Sequence, residues 1–318
     1  MNRVWAALAA VLLTAACKGY TTDENLAGTC THARTGDDLI KYCNAALDNR
    51  SYKREFYPEA EVYNARGLGY LLKKEYDLAL ADFETAISKR GYETVLYINR
   101  GDAYLGKKDY DRAIADYNYA LGKAPGAMEI YIHRGLAYLW KRDTSAALAN
   151  FDQAVDLSGN GEAGALMFRA LGYFATQDYP GATADFRKVL NLKPDAAAAE
   201  DGLCRSLAYE GRTFEAMGHC ARALDNTEKP GGPLFARGYA KLRNGDWKAA
   251  LADCGEPAGL APVSAEALFC GAYAHERLGD VEAARSGYAA ARAADSKVDE
   301  AMRRLGIVPG RTEIKPET

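Results

Sequence analysis

The chain repeats itself every 34 residues, and few features constrain a fold more tightly. Gly67, Gly101 and Gly135 head near-copies of one segment at that spacing. Tyr63, Arg66, Gly67, Tyr70, Tyr76, Ala79, Phe83 and Ala86 return as Tyr97, Arg100, Gly101, Tyr104, Tyr110, Ala113, Tyr117 and Ala120. They return again as Tyr131, Arg134, Gly135, Tyr138, Ala147, Phe151 and Ala154. A strict period of this size marks a stacked helical array, because no single unit can bury its own apolar face. With each unit counted from its first residue, positions 4, 7, 8 and 11 share one helical stripe. Positions 17, 20, 24 and 27 share a second. Small residues at 8 and 20 let the two backbones approach, and the aromatics fill the space beside them.

Repeats one to three begin at residues 60, 94 and 128, and drifted copies follow at 163–196, 197–230, 231–264 and 265–298. One inserted residue near the Gly159–Gly161 turn shifts the phase of the fourth. Asp38–Asn49 matches a second helix only, and Asp299–Gly306 a first helix only, as capping half-repeats do. The skeleton resembles the tetratricopeptide repeat: an aromatic at position 4, small residues at 8, 20 and 27, further aromatics near 11, 17 and 24, and a proline at 32, as at Pro125. The resemblance implies an all-α, right-handed superhelical solenoid of helix-turn-helix pairs whose first helices line a concave face. The expected organisation is a signal peptide at 1–16, an anchor segment and capping half-repeat at 17–59 and seven repeats at 60–298. A capping helix at 299–308 and a disordered tail at 309–318 complete it. The 302 residues after the signal then form one elongated body.

Arg3 precedes an apolar run from Val4 to Ala16, too short to span a bilayer and typical of a secretory signal. Leu13-Thr14-Ala15-Ala16-Cys17 looks like a bacterial lipoprotein processing site, with its leucine one place further from the cysteine than usual. That resemblance implies lipidation at Cys17, and Lys18 after it favours the outer membrane. Ordinary cleavage after Ala16 is the rival reading. Export also suits the cysteines: seven less Cys17 leave an even number, falling as Cys30/Cys43, Cys204/Cys220 and Cys254/Cys270. Three bridges are expected, each contributing about 3 kcal/mol, the middle pair being offset by about a helical turn. Free core thiols are the alternative.

The formal net charge of −3 and the lack of basic runs interleaved with aromatics argue against nucleic acid. His32, His133, His219 and His275 stand outside metal-ligand spacings, although His219-Cys220 with Cys204 could be drawn as a partial site. No nucleophile elbow, phosphate loop or dinucleotide fingerprint occurs, and the repeats leave no room for a catalytic domain. No enzyme, cofactor or metal is expected. Arginine at position 7 and aspartate at 23 rise and fall together: Arg66/Asp82, Arg100/Asp116, Arg169/Asp185 and Arg237/Asp253. Repeat three has Arg134/Asn150, repeat five Leu203/His219 and repeat seven Gly271/Gly287. A ladder of charge-assisted hydrogen bonds is the expected reading, a row of anion-binding arginines the other.

By the family's facing rule, Asn64, Asn99, Asp102, His133, Leu136, Trp140, Phe168 and Leu171 line the concave face as partner-binding candidates. Later repeats add Asp201, Arg205, Phe235, Tyr239, Arg243, Phe269, Tyr273 and Arg277. The basic clamp of chaperone-binding members is missing, since Leu68 and Glu129 stand in its places and only Asn99 matches. A non-catalytic scaffold of the bacterial cell envelope is expected, binding a protein or peptide and touching membrane only through its lipid. A self-associating spacer is the alternative.

Overall fold

The computed structural model describes residues 35–48, 58–90, 93–159, 161–226, 231–254 and 264–310. Among them are sixteen helices and no strand. The chain divides between Leu157 and Ser158 into two compact units, at the place where the inserted residue breaks the 34-residue phase. In the first unit α1 (Gly36–Asp48) precedes three helix pairs: α2 (Glu59–Leu72) with α3 (Tyr76–Arg90), α4 (Thr94–Gly106) with α5 (Tyr110–Lys123), and α6 (Met128–Trp140) with α7 (Thr144–Leu157). The second unit holds α8 (Ala163–Ala175) with α9 (Tyr179–Leu192), α10 (Ala197–Glu210) with α11 (Thr213–Asp225), and α12 (Gly231–Arg243) with α13 (Trp247–Cys254). It closes with α14 (Ala265–Leu278), α15 (Val281–Ala294) and the short α16 (Val298–Arg304). The expected signal peptide, Cys17, Cys30 and residues 311–318 lie outside the described residues.

One lock closes each pair in the first unit. A Cβ placed on Gly67, Gly101 or Gly135 would come within 2.7, 2.7 and 2.5 Å of the ring of Phe83, Tyr117 or Phe151 respectively. Position 8 is therefore glycine because the aromatic at position 24 stands directly across from it, fully buried. Repeat five replaces this lock with a covalent one. Cys204 and Cys220 occupy the same two positions and are disulfide-bonded, with Cα atoms 4.7 Å apart. The helical offset expected for this pair is absent, because positions 8 and 24 face each other. Cys254–Cys270 joins position 24 of repeat six to the first helix of repeat seven, with Cα atoms 5.5 Å apart. Cys43 is buried and disulfide-bonded, and its expected partner Cys30 lies outside the described residues.

The turns repeat as faithfully as the core. In every repeat the residue at position 15 has a left-handed backbone: Lys74, Lys108, Arg142, Gln177, Gly211, Gly245 and Gly279. The amide after it returns to the carbonyl five residues back, as from Asp109 to Tyr104 and from Asp280 to His275. This is the Schellman closure of the first helix. The following aspartate caps the second helix: Asp109, Asp143, Asp178, Asp246 and Asp280 accept from the amides of Arg112, Ala146, Gly181, Ala249 and Ala283.

Candidate functional site

The arginine ladder is structural. Arg66, Arg100, Arg169 and Arg237 each send Nε and Nη2 to both oxygens of Asp82, Asp116, Asp185 and Asp253, at 2.6–2.9 Å. These carboxylates are buried, so the fork-to-fork pairing removes a charge that would otherwise be stranded. The hydrogen bonds from Arg66 to Asp82 raise the guanidinium above its ordinary value, against the opposing effect of burial. Arg134 keeps the geometry with Asn150 at 2.8 Å. Repeat five turns the polarity around. Glu200 stands at position 4, where the first three repeats carry tyrosine, and receives His219 Nδ1 at 2.6 Å and Arg222 Nε at 2.7 Å. The glutamate at a tyrosine position was the sequence signal for that exchange. In repeat seven the charges give way to contact, and a Cβ on Gly287 would meet that of Ala272 at 2.8 Å.

The polar partner-binding candidates of the first unit bond to one another in pairs. Asn99 donates to Asn64 Oδ1 at 2.8 Å, joining repeats one and two. Asp102, 7% exposed, accepts from the Tyr117 hydroxyl at 2.6 Å. His133 Nδ1 lies 2.6 Å from the same oxygen, and since a carboxylate only accepts, that nitrogen carries the proton. Burial depresses His133, but the charge and hydrogen bond of Asp102 outweigh it and hold the imidazole above its ordinary value. Leu136 is 3% exposed and packed away. Trp140 is partly buried against the cluster that contains Leu105, Ala113 and Tyr117. In the second unit Phe168 and Leu171 are 5% and 4% exposed. Of the apolar side chains assigned to the groove, Leu136, Phe168 and Leu171 therefore fill the core, because positions 6 and 9 turn toward the neighbouring helix.

In the second unit aromatic and cationic side chains gather along the first helices and at the starts of α9 and α13. Phe235, Tyr239, Phe269 and Tyr273, assigned to the groove, are buried there. Phe174, Tyr179 and Tyr209 meet pairwise with centroids 5.2–5.5 Å apart, and Tyr209 passes the contact on to Tyr239 at 5.3 Å. Arg205 lies 5.2 Å over the Phe174 ring and Arg277 5.0 Å over Trp247. Burial raises the Tyr209 hydroxyl well above the ordinary phenol range and pushes Tyr179 up to about 12. Asp201 and Arg205 pair at 3.1 Å through Oδ2 and Nη2. Their other atoms, Asp201 Oδ1 and Arg205 Nε, are buried with no hydrogen-bond partner. Tyr179 and Tyr209 were not singled out from the sequence. The only signal for Tyr209 was its place at position 13 of a repeat that has otherwise drifted.

Among the described residues no three His, Cys, Asp or Glu side chains converge on a possible metal position. The partial site drawn from His219, Cys220 and Cys204 is replaced by the disulfide and the Glu200 contact. No described helix is long and apolar enough to cross a membrane.

Comparison with known proteins supports the repeat family over part of the chain and the fold over more of it. Residues 98–162 match the tetratricopeptide repeat family. No curated protein sequence matches the chain. Among solved structures, a tetratricopeptide repeat protein from Parabacteroides merdae aligns with a TM-score of 0.56 at 16% identity. The alignment covers 80% of this chain and 92% of that one. The pilF protein of Pseudomonas aeruginosa aligns with a TM-score of 0.57 at 15% identity, covering 65% and 94%. At such identities the likeness is one of fold: an all-α solenoid of tetratricopeptide-type helix pairs.

Proposed function

We propose that this chain is a non-catalytic scaffold that holds a polypeptide partner on the face built from its first helices. One observation carries the reading. On α10, Asp201 Oδ1 and Arg205 Nε are an acceptor and a donor, buried and unmatched, next to the rings of Phe174 and Tyr209. An unmatched buried polar atom costs about 1–3 kcal/mol. With a small rotation of the two side chains toward the face, a peptide main chain offers both complements, an amide and a carbonyl, while its side chains pack on the rings. The same face would serve an assembly or recruitment factor of the bacterial cell envelope. Lipid on Cys17 would tether it to the periplasmic side of the outer membrane.

Arg205→Ala tests the first-helix face of the second unit and Trp140→Ala that of the first. Bait protein is immobilised and challenged with a cell-envelope extract, and helical content and melting are recorded in parallel. Arg205→Ala is expected to lower partner recovery at least tenfold with the fold intact, as losing a buried anchor does. Trp140→Ala is expected to do the same if the first unit contributes. Full recovery by both variants would place binding off this face.

A further inference from the structure

The C-terminal segment does more than end the array. Helix α16 stops in a Schellman turn: Gly306, at φ 77°, donates to the Arg303 carbonyl at 2.9 Å, and Ile307 to that of Met302 at 3.0 Å. Met302 and Ile307 are 0% exposed, the apolar contact such a stop makes. A simple cap would need nothing further. Instead the segment runs onto the first-helix face of the second unit. The Tyr239 hydroxyl on α12 donates to the Leu305 carbonyl at 2.6 Å, and Arg243 Nη1 donates to that same hydroxyl oxygen at 3.2 Å. Glu276 on α14 accepts from the Gly310 amide at 2.6 Å. Arg304 is close enough to Tyr179 on α9 for its charge to act on the phenol. Both hydrogen bonds to the face are made by main-chain atoms of the segment, one carbonyl and one amide. Tyr239, which makes the first of them, belongs to the aromatic row with Tyr209 and Tyr179.

We propose that residues 305–310, Leu-Gly-Ile-Val-Pro-Gly, are an intramolecular ligand of this face. They show the kind of partner it accepts: a turned, apolar, uncharged segment held by its backbone between Tyr239 and Glu276. A partner of the same chemistry must displace them, so the tail sets a threshold for binding. The threshold rests on the reading that the face binds polypeptide, whereas the occupancy stands on the contacts alone. A tethered segment competes at an effective concentration of about a millimolar, so even a weak contact lowers the affinity of a second ligand severalfold or more.

The test uses a chain ending at Arg304, which keeps every helix, and Tyr239→Phe in the full chain, which removes one donor and keeps the ring. The probe is the acetylated peptide LGIVPG, titrated to millimolar concentration and followed by NMR. Saturable binding to the shortened chain, at least tenfold weaker in the full chain, is expected. In the full chain, amide exchange at Ile307 and Gly310 should be slow, and at least tenfold faster at Gly310 in Tyr239→Phe. Equal or absent peptide binding by the two folded chains overturns the occupancy. If the shortened chain does not fold, rapid exchange at Gly310 in the unaltered protein overturns it. Should the peptide and exchange results hold while neither chain recovers an envelope partner, the partner reading fails and the intramolecular ligand stands.

Discussion

Asp102 is a single carboxylate that serves three helices: its own α4, α5 through Tyr117, and α6 through His133. Tyr117 is pushed well above its ordinary value by burial and then by Asp102, so it stays a donor. His133 is the group whose charge changes in the accessible range. Burial pulls it down, Asp102 pulls it up further, and Glu129 adds to the upward effect, so the folded value lies above the unfolded one. A raised folded value means the folded state binds the proton more tightly. The stabilisation is then fully present below the unfolded value of about 6.5 and fades as pH rises through the folded value. The thermal midpoint of helix loss should therefore fall between about pH 6 and about pH 8, the range in which histidine titrates. In His133→Gln, which keeps a donor but cannot titrate, that slope should vanish. A flat profile in the unaltered protein would remove His133 from the account.

At the scale of one helix pair, the turn carries a cost that the later repeats have shed. Position 15 is left-handed in all seven, yet it is Lys74, Lys108, Arg142 and Gln177 in the first four and glycine in the last three. A side chain in that conformation costs about 1–2 kcal/mol, partly offset by the freedom a glycine adds to the unfolded chain. Gln177→Gly should stabilise the second unit by about 0.5 kcal/mol or more, seen as a higher urea midpoint with an unchanged slope. Lys108→Gly should act likewise in the first unit. A lower midpoint would mean that the side chain makes contacts worth more than the backbone strain. The lock between positions 8 and 24 obeys the same logic of one site and several solutions: glycine under an aromatic ring three times, and a disulfide once.

For the molecule as a whole, the disulfides bear on the proposed export. Cys204–Cys220 and Cys254–Cys270 close loops of similar length in the second unit, each contributing about 3 kcal/mol on a chain-entropy estimate. Such bridges persist where the surroundings oxidise, which agrees with the proposed export. Protein extracted from envelope should begin at Cys17, carry diacylglycerol there, and show both bridges in an unreduced digest. An unmodified N-terminal Cys17 would remove the anchor, and free thiols at all four positions would remove the framework. Cys204→Ser should speed amide exchange in α10 and α11 and leave α4 and α5 unchanged.

The period, the Arg66/Asp82 type of pair and the helical register were legible in the sequence because they depend on spacing alone. A residue 16 positions further on across a two-helix turn faces its partner wherever the turn has the same length, and every turn here does. The groove was not legible in the same way. Leu136, Phe168 and Leu171 lie on the expected stripe, but whether a stripe residue meets solvent or a neighbouring helix depends on how far each pair rotates against the next. Spacing within a repeat does not encode that rotation. Nor could it show that Tyr239 would find the Leu305 carbonyl 66 residues away, or that Asp201 and Arg205 would keep one atom each without a partner. Those outcomes join positions unrelated by the period, and only the packed tertiary structure brings them together.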